Sequence, residues 1–414
     1  MSYKKIPGTR DILPEESGLW QNIEELSREV FCLYGYQEVR TPLIEDESLF
    51  NRSLGNTSEI VQKQMFLIPH QDQTYCLRPE GTASVVRAFI ENNLDKETGF
   101  SKLFYLGPMF RMERPQKGRL RQFHHIGCEA IGSLSADLDV ETISLADSLL
   151  KCLNINGYTI KINNLGCAKD KKSLIDALHK ALKGQLPHLC PDCQRRYETN
   201  ALRILDCKNE ECRSIVSKLR IHDEYLCRDC AQHFIRVKEG LDLLKIGYEI
   251  VPHLVRGLDY YTRTVFEVTH PDLGAQDALG AGGRYDNLVK ELGGPDVGAI
   301  GFALGVERLL LACKMPRPQA IRRSFAYLIT LGQAAEKEGM RLIDDLRKSG
   351  IACDTDYENR SLKGAMRRAD DLKAGFVLIL GDDELKKGIV TLKNMSSGEQ
   401  KEIRPEDLKK ELKC

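Results

Sequence analysis

Eleven residues, Arg111 to Arg121, hold five cations (Arg111, Arg114, Lys117, Arg119, Arg121) against one anion, Glu113. Guanidinium groups at that density suit phosphate or carboxylate, because arginine offers a fork of donors and stays charged. The residues that follow alternate. Period two puts Phe123, His125, Gly127, Glu129 and Ile131 on one face of a strand. That face carries an imidazole and a carboxylate with a glycine between them, and a glycine inside a strand often marks a ligand or backbone coming close. A cationic loop beside an acid-bearing strand suits a substrate with both phosphates and a positive amine. A solvated hairpin with a basic tip is the plainer alternative.

Three other stretches could do chemistry. Arg78-Pro79-Glu80-Gly81-Thr82 leads into a helix expected over 83–92. Thr82 is placed to cap it, and Glu80 and Thr82 are suitable acceptors for an ammonium; a simple capped helix is the alternative. Arg256-Gly257 is a flexible turn with a fixed cation, followed by Tyr260 and Tyr261 just ahead of a strand over 264–268. Tyrosines in that position also serve simply as packing. From Val297 to Leu311 a glycine-spaced strand runs into a helix with Arg308 in its first turns, where helix N-terminus and guanidinium together favour an anion. Gly280 to Leu288, GAGGRYDNL, reads as a glycine-rich turn and fits neither the Rossmann fingerprint nor the P-loop. A nucleotide would have to be held another way.

The 14 cysteines are scattered. Cys190-x-x-Cys193 and Cys227-x-x-Cys230 together have the form of a zinc site, four thiolates around one tetrahedral ion, although the gap between the pairs is longer than in common zinc ribbons. Cys207-x4-Cys212 lies between them. Reduced structural cysteines are the other reading.

The elements that must position these residues follow from periodicity. A helix is expected over 16–34, a strand over 36–45 with Pro42 inside it, and a hairpin from strands over 64–68 and 74–78. Strands over 104–111 and 123–131 flank the basic loop; a helix over 137–153 and a strand over 158–165 follow. A Lys-rich helix over 170–183 opens what reads as an inserted, mostly helical module, and strand character returns at 248–251. After Pro316-x-Pro318, strands over 325–331, 351–354 and 376–380 alternate with helices over 333–348 and 361–373, the βαβαβ order of a small α/β domain. The expected divisions are 1–166, 167–245, 246–318 and 325–414. Lys+Arg and Asp+Glu are both 60, so a nucleic-acid partner would be held by local patches. The C-terminal stretch from 320 to 414 is only mildly basic, with 19 Lys+Arg and 17 Asp+Glu. No apolar run approaches the roughly 20 residues that span a bilayer, and MSYKKIPGTRD lacks the apolar core of a signal peptide. A cytoplasmic, reducing setting without membrane contact is expected.

An arginine ending a strand, a basic loop and a returning strand resemble motif 2 of class II aminoacyl-tRNA synthetases. The wording FRMERPQKGR…RQFH resembles the histidyl-tRNA synthetase family of bacterial type. The first helix, strand and Pro42 resemble motif 1, and Val297 to Leu311 resembles motif 3. RGLDYYTRTVFE, from Arg256 to Glu267, is similar to a signature of that one family. The resemblance covers the whole chain. It implies an α+β fold: an antiparallel sheet flanked by helices, a helical insertion and a C-terminal α/β anticodon-binding domain, working as a homodimer. It implies ATP-dependent attachment of L-histidine to tRNA(His) through a histidyl-adenylate, with Mg²⁺ accompanying ATP and no dependence on zinc in the cysteine-rich segment. Arg111 and Arg256 would act at the α-phosphate, and Arg308 would hold the γ-phosphate. Glu80, Gly81, Thr82, His125, Glu129, Tyr260 and Tyr261 would bind the amino acid, and Arg114, Lys117, Arg119 and Arg121 would meet the tRNA acceptor end.

One position departs. The family usually has glutamine where this chain has His125. Histidine lacks the amide's paired donor and acceptor and ordinarily titrates near neutral pH, so activity with altered affinity for histidine is expected. Two other functions fit parts of the pattern. A non-catalytic, histidine-sensing regulatory subunit of ATP phosphoribosyltransferase is a paralogue, but it lacks the C-terminal domain kept here. A tRNA-binding sensor built on a degenerate synthetase domain usually carries extra kinase or regulatory segments.

Overall fold

The computed structural model describes residues 3–55, 58–116, 118–219, 225–274, 277–313 and 325–412, the side chains of 97 and 98 excepted. The chain divides into two compact units, Met1–Arg317 and Pro318–Cys414.

The first unit contains β1 (Gln37–Glu38), β2 (Ile44–Asp46), β3 (Phe66–His70), β4 (Gln73–Leu77), β5 (Ser101–Phe110), β6 (Gln122–Ile131), β7 (Thr159–Asn164), β8 (Glu249–Ile250), β9 (Thr262–Thr269), β10 (Ala278–Arg284) and β11 (Ala299–Gly305). Eight of them form one sheet in the order β1-β5-β6-β11-β10-β9-β7-β8. Neighbours from β5 to β7 are antiparallel; the short edge strands β1 and β8 join in parallel.

Alternation along β6 assigns the two faces of this sheet. Ile126, Cys128 and Ala130 join a core with Trp20, Ile23 and Phe31 of the helix Pro14–Leu33 and with Leu145 and Leu149 of the helix Ala136–Cys152. Phe123 and Ile131, of the opposite parity, belong to a second cluster with Tyr105, Tyr260, Tyr261 and Tyr285. One face therefore rests on helices, and the other is left for a site.

Two expectations need correction. The strand expected over 36–45 is two short strands in different sheets: β1 edges the large sheet, and β2 pairs with β4 in a three-stranded sheet ordered β2-β4-β3. Pro42 lies in the gap, and without an N–H it cannot continue a ladder. The glycine-rich segment expected as a turn is instead the inner strand β10. Its glycines are required by crowding, since a Cβ on Gly282 would meet Phe302 Cβ at 2.5 Å and Phe266 Cε1 at 2.7 Å. Between β7 and β8 the described residues form only helices and turns, chiefly Ala168–Leu182, Pro191–Thr199, Glu210–Ser217 and Arg228–Leu243.

A buried network centred on Asp139 of the helix Ala136–Cys152 ties this insertion to the sheet. Arg284 and Asp139 are both 0% exposed, and Arg284 Nε donates to Asp139 Oδ1 at 2.6 Å. Arg284 also reaches Asp286 Oδ1 at 2.9 Å and the carbonyls of Ser133 and Ser135. Asp139 Oδ2 lies 2.7 Å from His233 Nε2 on the helix Arg228–Leu243. Buried charges with this many partners are tolerated, whereas removing one partner would leave the other stranded.

The second unit contains β12 (Ala326–Thr330), β13 (Cys353–Thr355), β14 (Phe376–Leu380), β15 (Val390–Asn394) and β16 (Gln400–Ile403), in the order β13-β12-β14-β15-β16. The first three are parallel, with the helices Gln333–Lys348 and Leu362–Asp371 between them in sequence. The antiparallel β15 and β16 extend the expected βαβαβ unit.

Candidate active site

A cavity of about 770 Å³ opens on the face of the large sheet away from the first helical core. Most of the residues singled out from sequence line it. Glu80, Gly81 and Thr82 come from the start of the helix Thr82–Glu91, Arg111 directly follows β5, and His125 is the fourth residue of β6. Arg256, Tyr260 and Tyr261 precede β9, and Arg308 follows β11.

One end is built around carboxylates. Glu80 accepts from the backbone N–H groups of Thr82 at 2.7 Å and Ala83 at 2.9 Å, so it, and not Thr82, caps the helix. Thr82 is already the first helical residue, and its hydroxyl instead donates to Glu129 Oε1 at 2.7 Å. Glu129 is fully buried and takes two further hydroxyls, Tyr285 at 2.5 Å and Tyr105 at 3.4 Å. Burial pushes its pKa up to about 8 despite the stabilising hydrogen bonds from Tyr285 and Thr82. Burial likewise raises Glu80, against the N–H groups that hold it down.

Tyr105 and Tyr285 were not identified from sequence. For Tyr105 the signal was in the glycines. Tyr105 faces Gly127 across β5 and β6, where a Cβ would sit 2.6 Å from its hydroxyl, and Gly81 abuts the same ring. Gly301 pairs with Glu129 across β6 and β11 and leaves room for its carboxylate. The glycine in the strand does mark a close approach, but of a protein ring.

His125 departs from expectation. Its Nδ1 is covered and has no hydrogen-bond partner among the described residues. Burial, reinforced by Arg111, Arg308 and Arg78, pushes its pKa down to about 3, so it is neutral at physiological pH instead of titrating there.

The other end is cationic. Arg256 forms an ion pair with Glu267 of β9. Arg111 donates through Nε to the Pro79 carbonyl at 2.9 Å, lies 3.9 Å from Glu113 and sits over the Phe123 ring at 5.4 Å. Arg308, third residue of the seven-residue helix Val306–Ala312, donates to the carbonyls of Gly118, at 3.1 Å, and Ala278. Glu267 was also missed, although alternation along β9 puts it on the same face as Val265, which belongs to the cavity-side cluster.

The loop cations separate. Arg119 pairs with Glu113 and lines the cavity, while Arg121 turns to the carbonyls of Pro7, at 3.2 Å, and Glu113, at 3.3 Å. Arg114 is exposed, and Lys117 lies outside the described residues. The cysteines also separate. Cys190 and Cys193 group with Cys207 and Cys212, whereas Cys227 and Cys230 group with Cys167 and Asp170. The single site expected from Cys190, Cys193, Cys227 and Cys230 is therefore not formed, because the two C-x-x-C turns start different helices of the insertion.

A broad antiparallel sheet with arginines and carboxylates gathered on its open face, followed by a separate α/β unit, defines an aminoacyl-tRNA synthetase of class II. Comparison with known proteins narrows this. The family model described as histidyl-tRNA synthetase matches residues 8–309, and one described as anticodon binding domain matches 326–414. A histidine–tRNA ligase of Natranaerobius thermophilus is 44% identical over 408 residues, covering 97% of each chain. That of Moorella thermoacetica is 47% identical over 401 residues, covering 96% of this chain and 94% of its own. The crystal structure of apo S. aureus histidyl-tRNA synthetase superposes with a TM-score of 0.81 at 35% identity, covering 100% of both chains. The chain belongs to the histidyl-tRNA synthetase family.

Proposed function

We propose that this protein activates L-histidine with ATP and transfers it to tRNA(His) for protein synthesis. The observation that carries the reading is the convergence in one cavity of Glu80, Thr82 and the two tyrosines with Arg111, Arg256 and Arg308. The histidine carboxylate attacks the α-phosphate of ATP, pyrophosphate leaves, and the terminal ribose hydroxyl of tRNA then attacks the acyl carbon of the adenylate. No side-chain nucleophile is needed, so the protein works by positioning and by stabilising charge.

Arg111 and Arg256 neutralise charge growing at the α-phosphate. Arg308 takes the outer phosphates, together with the Mg²⁺ that arrives with ATP. Glu80, Gly81 and Thr82 receive the ammonium group; Glu129, His125, Tyr260 and Tyr261 receive the imidazole. Arg114, Lys117, Arg119 and Arg121 meet the acceptor end of tRNA through its phosphates. The α/β unit over 325–414 reads the anticodon, in keeping with its family match. The protein acts as a cytoplasmic homodimer; no described helix is long and apolar enough to cross a membrane. The catalytic divisions are 1–166 and 246–318, with 167–245 as the insertion.

A non-catalytic regulatory role is not favoured, given the arginines in the cavity and the match to an anticodon-binding domain. The test is histidine-dependent exchange of labelled pyrophosphate into ATP, with the other amino acids as controls. Exchange with histidine alone is expected. Well-folded protein that binds histidine and supports no exchange would overturn the reading.

A further inference from the structure

We propose that Cys190, Cys193, Cys207 and Cys212 form a tetrathiolate site for one zinc ion in the helical insertion. Their four sulfurs lie within 4.8 Å of one another, and Cys193, Cys207 and Cys212 are buried. A Zn–S bond of about 2.3 Å gives a tetrahedron with edges of about 3.8 Å. Cys190 Sγ and Cys207 Sγ are 3.8 Å apart, the spacing of two ligands on one ion and far beyond a disulfide bond.

The local structure presents these sulfurs as ligands. Cys190 precedes the helix Pro191–Thr199 and Cys193 is its third residue; Cys212 is the third residue of the helix Glu210–Ser217. The backbone N–H of Cys190 also donates to Cys212 Sγ at 3.2 Å, the outer support a metal thiolate accepts. All four ligands are soft and none is an oxygen, a donor set that selects zinc over magnesium or calcium. The second cluster is less suited, because Asp170 already accepts from the Cys167 N–H at 3.3 Å as part of a helix cap.

The ion would clamp the turns that carry Cys190, Cys207 and Cys212, which pack in one buried cluster with Leu189, Ile204 and Val216. The clamped segment forms part of the cavity wall, to which Cys190, Cys207, Arg203 and Asp206 contribute. It is also tied to the signature stretch: Asn200 Nδ2 donates to Asp259 Oδ1 at 2.9 Å, and Arg203 Nη1 lies 2.6 Å from where a Cβ on Gly257 would be. The metal is therefore a structural brace for one wall of the site and takes no part in the chemistry.

The full chain, purified under reducing conditions without chelator, should contain at least one zinc per chain by elemental analysis. Co²⁺ exchanged into it should give the absorption of a tetrahedral thiolate complex. Zinc content should fall by one equivalent in Cys193→Ser and stay unchanged in Cys227→Ser. Alkylation of the unmodified protein, read by peptide mass, keeps the assignment testable should Cys193→Ser fail to fold: labelling of these four cysteines should rise several-fold when a chelator is added. Substoichiometric zinc, iron in its place, or chelator-dependent labelling confined to Cys227 and Cys230 would overturn the proposal.

Discussion

The two ends of the cavity manage buried charge in opposite ways. At the carboxylate end, the acids are met by neutral donors: backbone N–H groups at Glu80, three hydroxyls at Glu129. At the arginine end, cations are met by acids, Glu267 and Glu113, or by backbone carbonyls. Neutral donors cannot offset the loss of hydration, so Glu129 takes up a proton readily. Arginine cannot give its proton up and stays charged. One end thus waits for a ligand that supplies positive charge or N–H donors; the other stands ready for an anion. The two halves of the proposed substrate pair are therefore met by different electrostatics, and each half can be broken separately.

The largest effect should come from the cationic end. Arg256→Ala is expected to lower the maximal rate of histidine-dependent pyrophosphate exchange by about 10²- to 10³-fold, the usual cost of losing a preorganised charge at a reacting centre. Glu267→Gln keeps the cation and should cost far less. A rate for Arg256→Ala within threefold of the parent would break the assignment. Arg308→Ala comes next. Losing a charged hydrogen bond of about 1.5–3 kcal/mol corresponds to roughly 10- to 100-fold, here expected in KM for ATP with KM for histidine little changed. Equal changes in both would show that Arg308 supports the cavity without holding phosphate.

The carboxylate end makes a prediction in pH. The folded pKa of Glu129, about 8, lies above its ordinary value of 4.5. The proton is therefore bound more tightly in the folded state, so the associated stability is present below pH 4.5 and is lost as pH rises through 8. Tm of the ligand-free protein should fall more steeply from pH 6 to 9 than Tm of Glu129→Gln. Histidine binding, which favours the carboxylate, should release a proton near pH 7, read by calorimetry in buffers of different ionisation enthalpy. Glu129→Gln should abolish the release and raise KM for histidine about tenfold, the loss of one charged hydrogen bond. Equal pH slopes in the two proteins would show that Glu129 is ionised before any ligand arrives.

The two ends were also unequally legible in the sequence. Arg111, Arg256 and Arg308 stand beside turns or strand ends, where a cation breaks an apolar pattern, and all three line the cavity. Glu129 was legible through alternation on β6. The residues that set its proton affinity were not, since Tyr105 and Tyr285 reach it from β5 and from just beyond β10, and that pairing is known only once the strand order β5-β6-β11-β10 is. The same limit explains the cysteines. Spacing pairs neighbours in sequence, but it cannot show that Cys190 and Cys193 fold back on Cys207 and Cys212 and leave Cys227 and Cys230 to Cys167 and Asp170. It explains β10 too, where a run of glycines looks like a turn until its crowded neighbours on β9 and β11 are known.

The smallest effect is expected at His125, where the two ends meet. Its ring lies on the carboxylate-bearing strand, yet its protonation is suppressed by burial and by the arginines. Its Nδ1 lacks a partner among the described residues, so a ligand or water must meet it or a buried polar atom stays unsatisfied. His125→Gln supplies both a donor and an acceptor at that depth and should lower KM for histidine by about two- to fivefold, within the worth of one neutral hydrogen bond. Because the imidazole is already neutral, the ratio of the two KM values should be flat from pH 6 to 8.5. A ratio that changes across that range would mean that His125 takes up a proton in the working enzyme, and the arginine end would then exert less influence on β6 than its distribution of charge implies. An unchanged KM at every pH would remove any reason to separate this position from its neighbours.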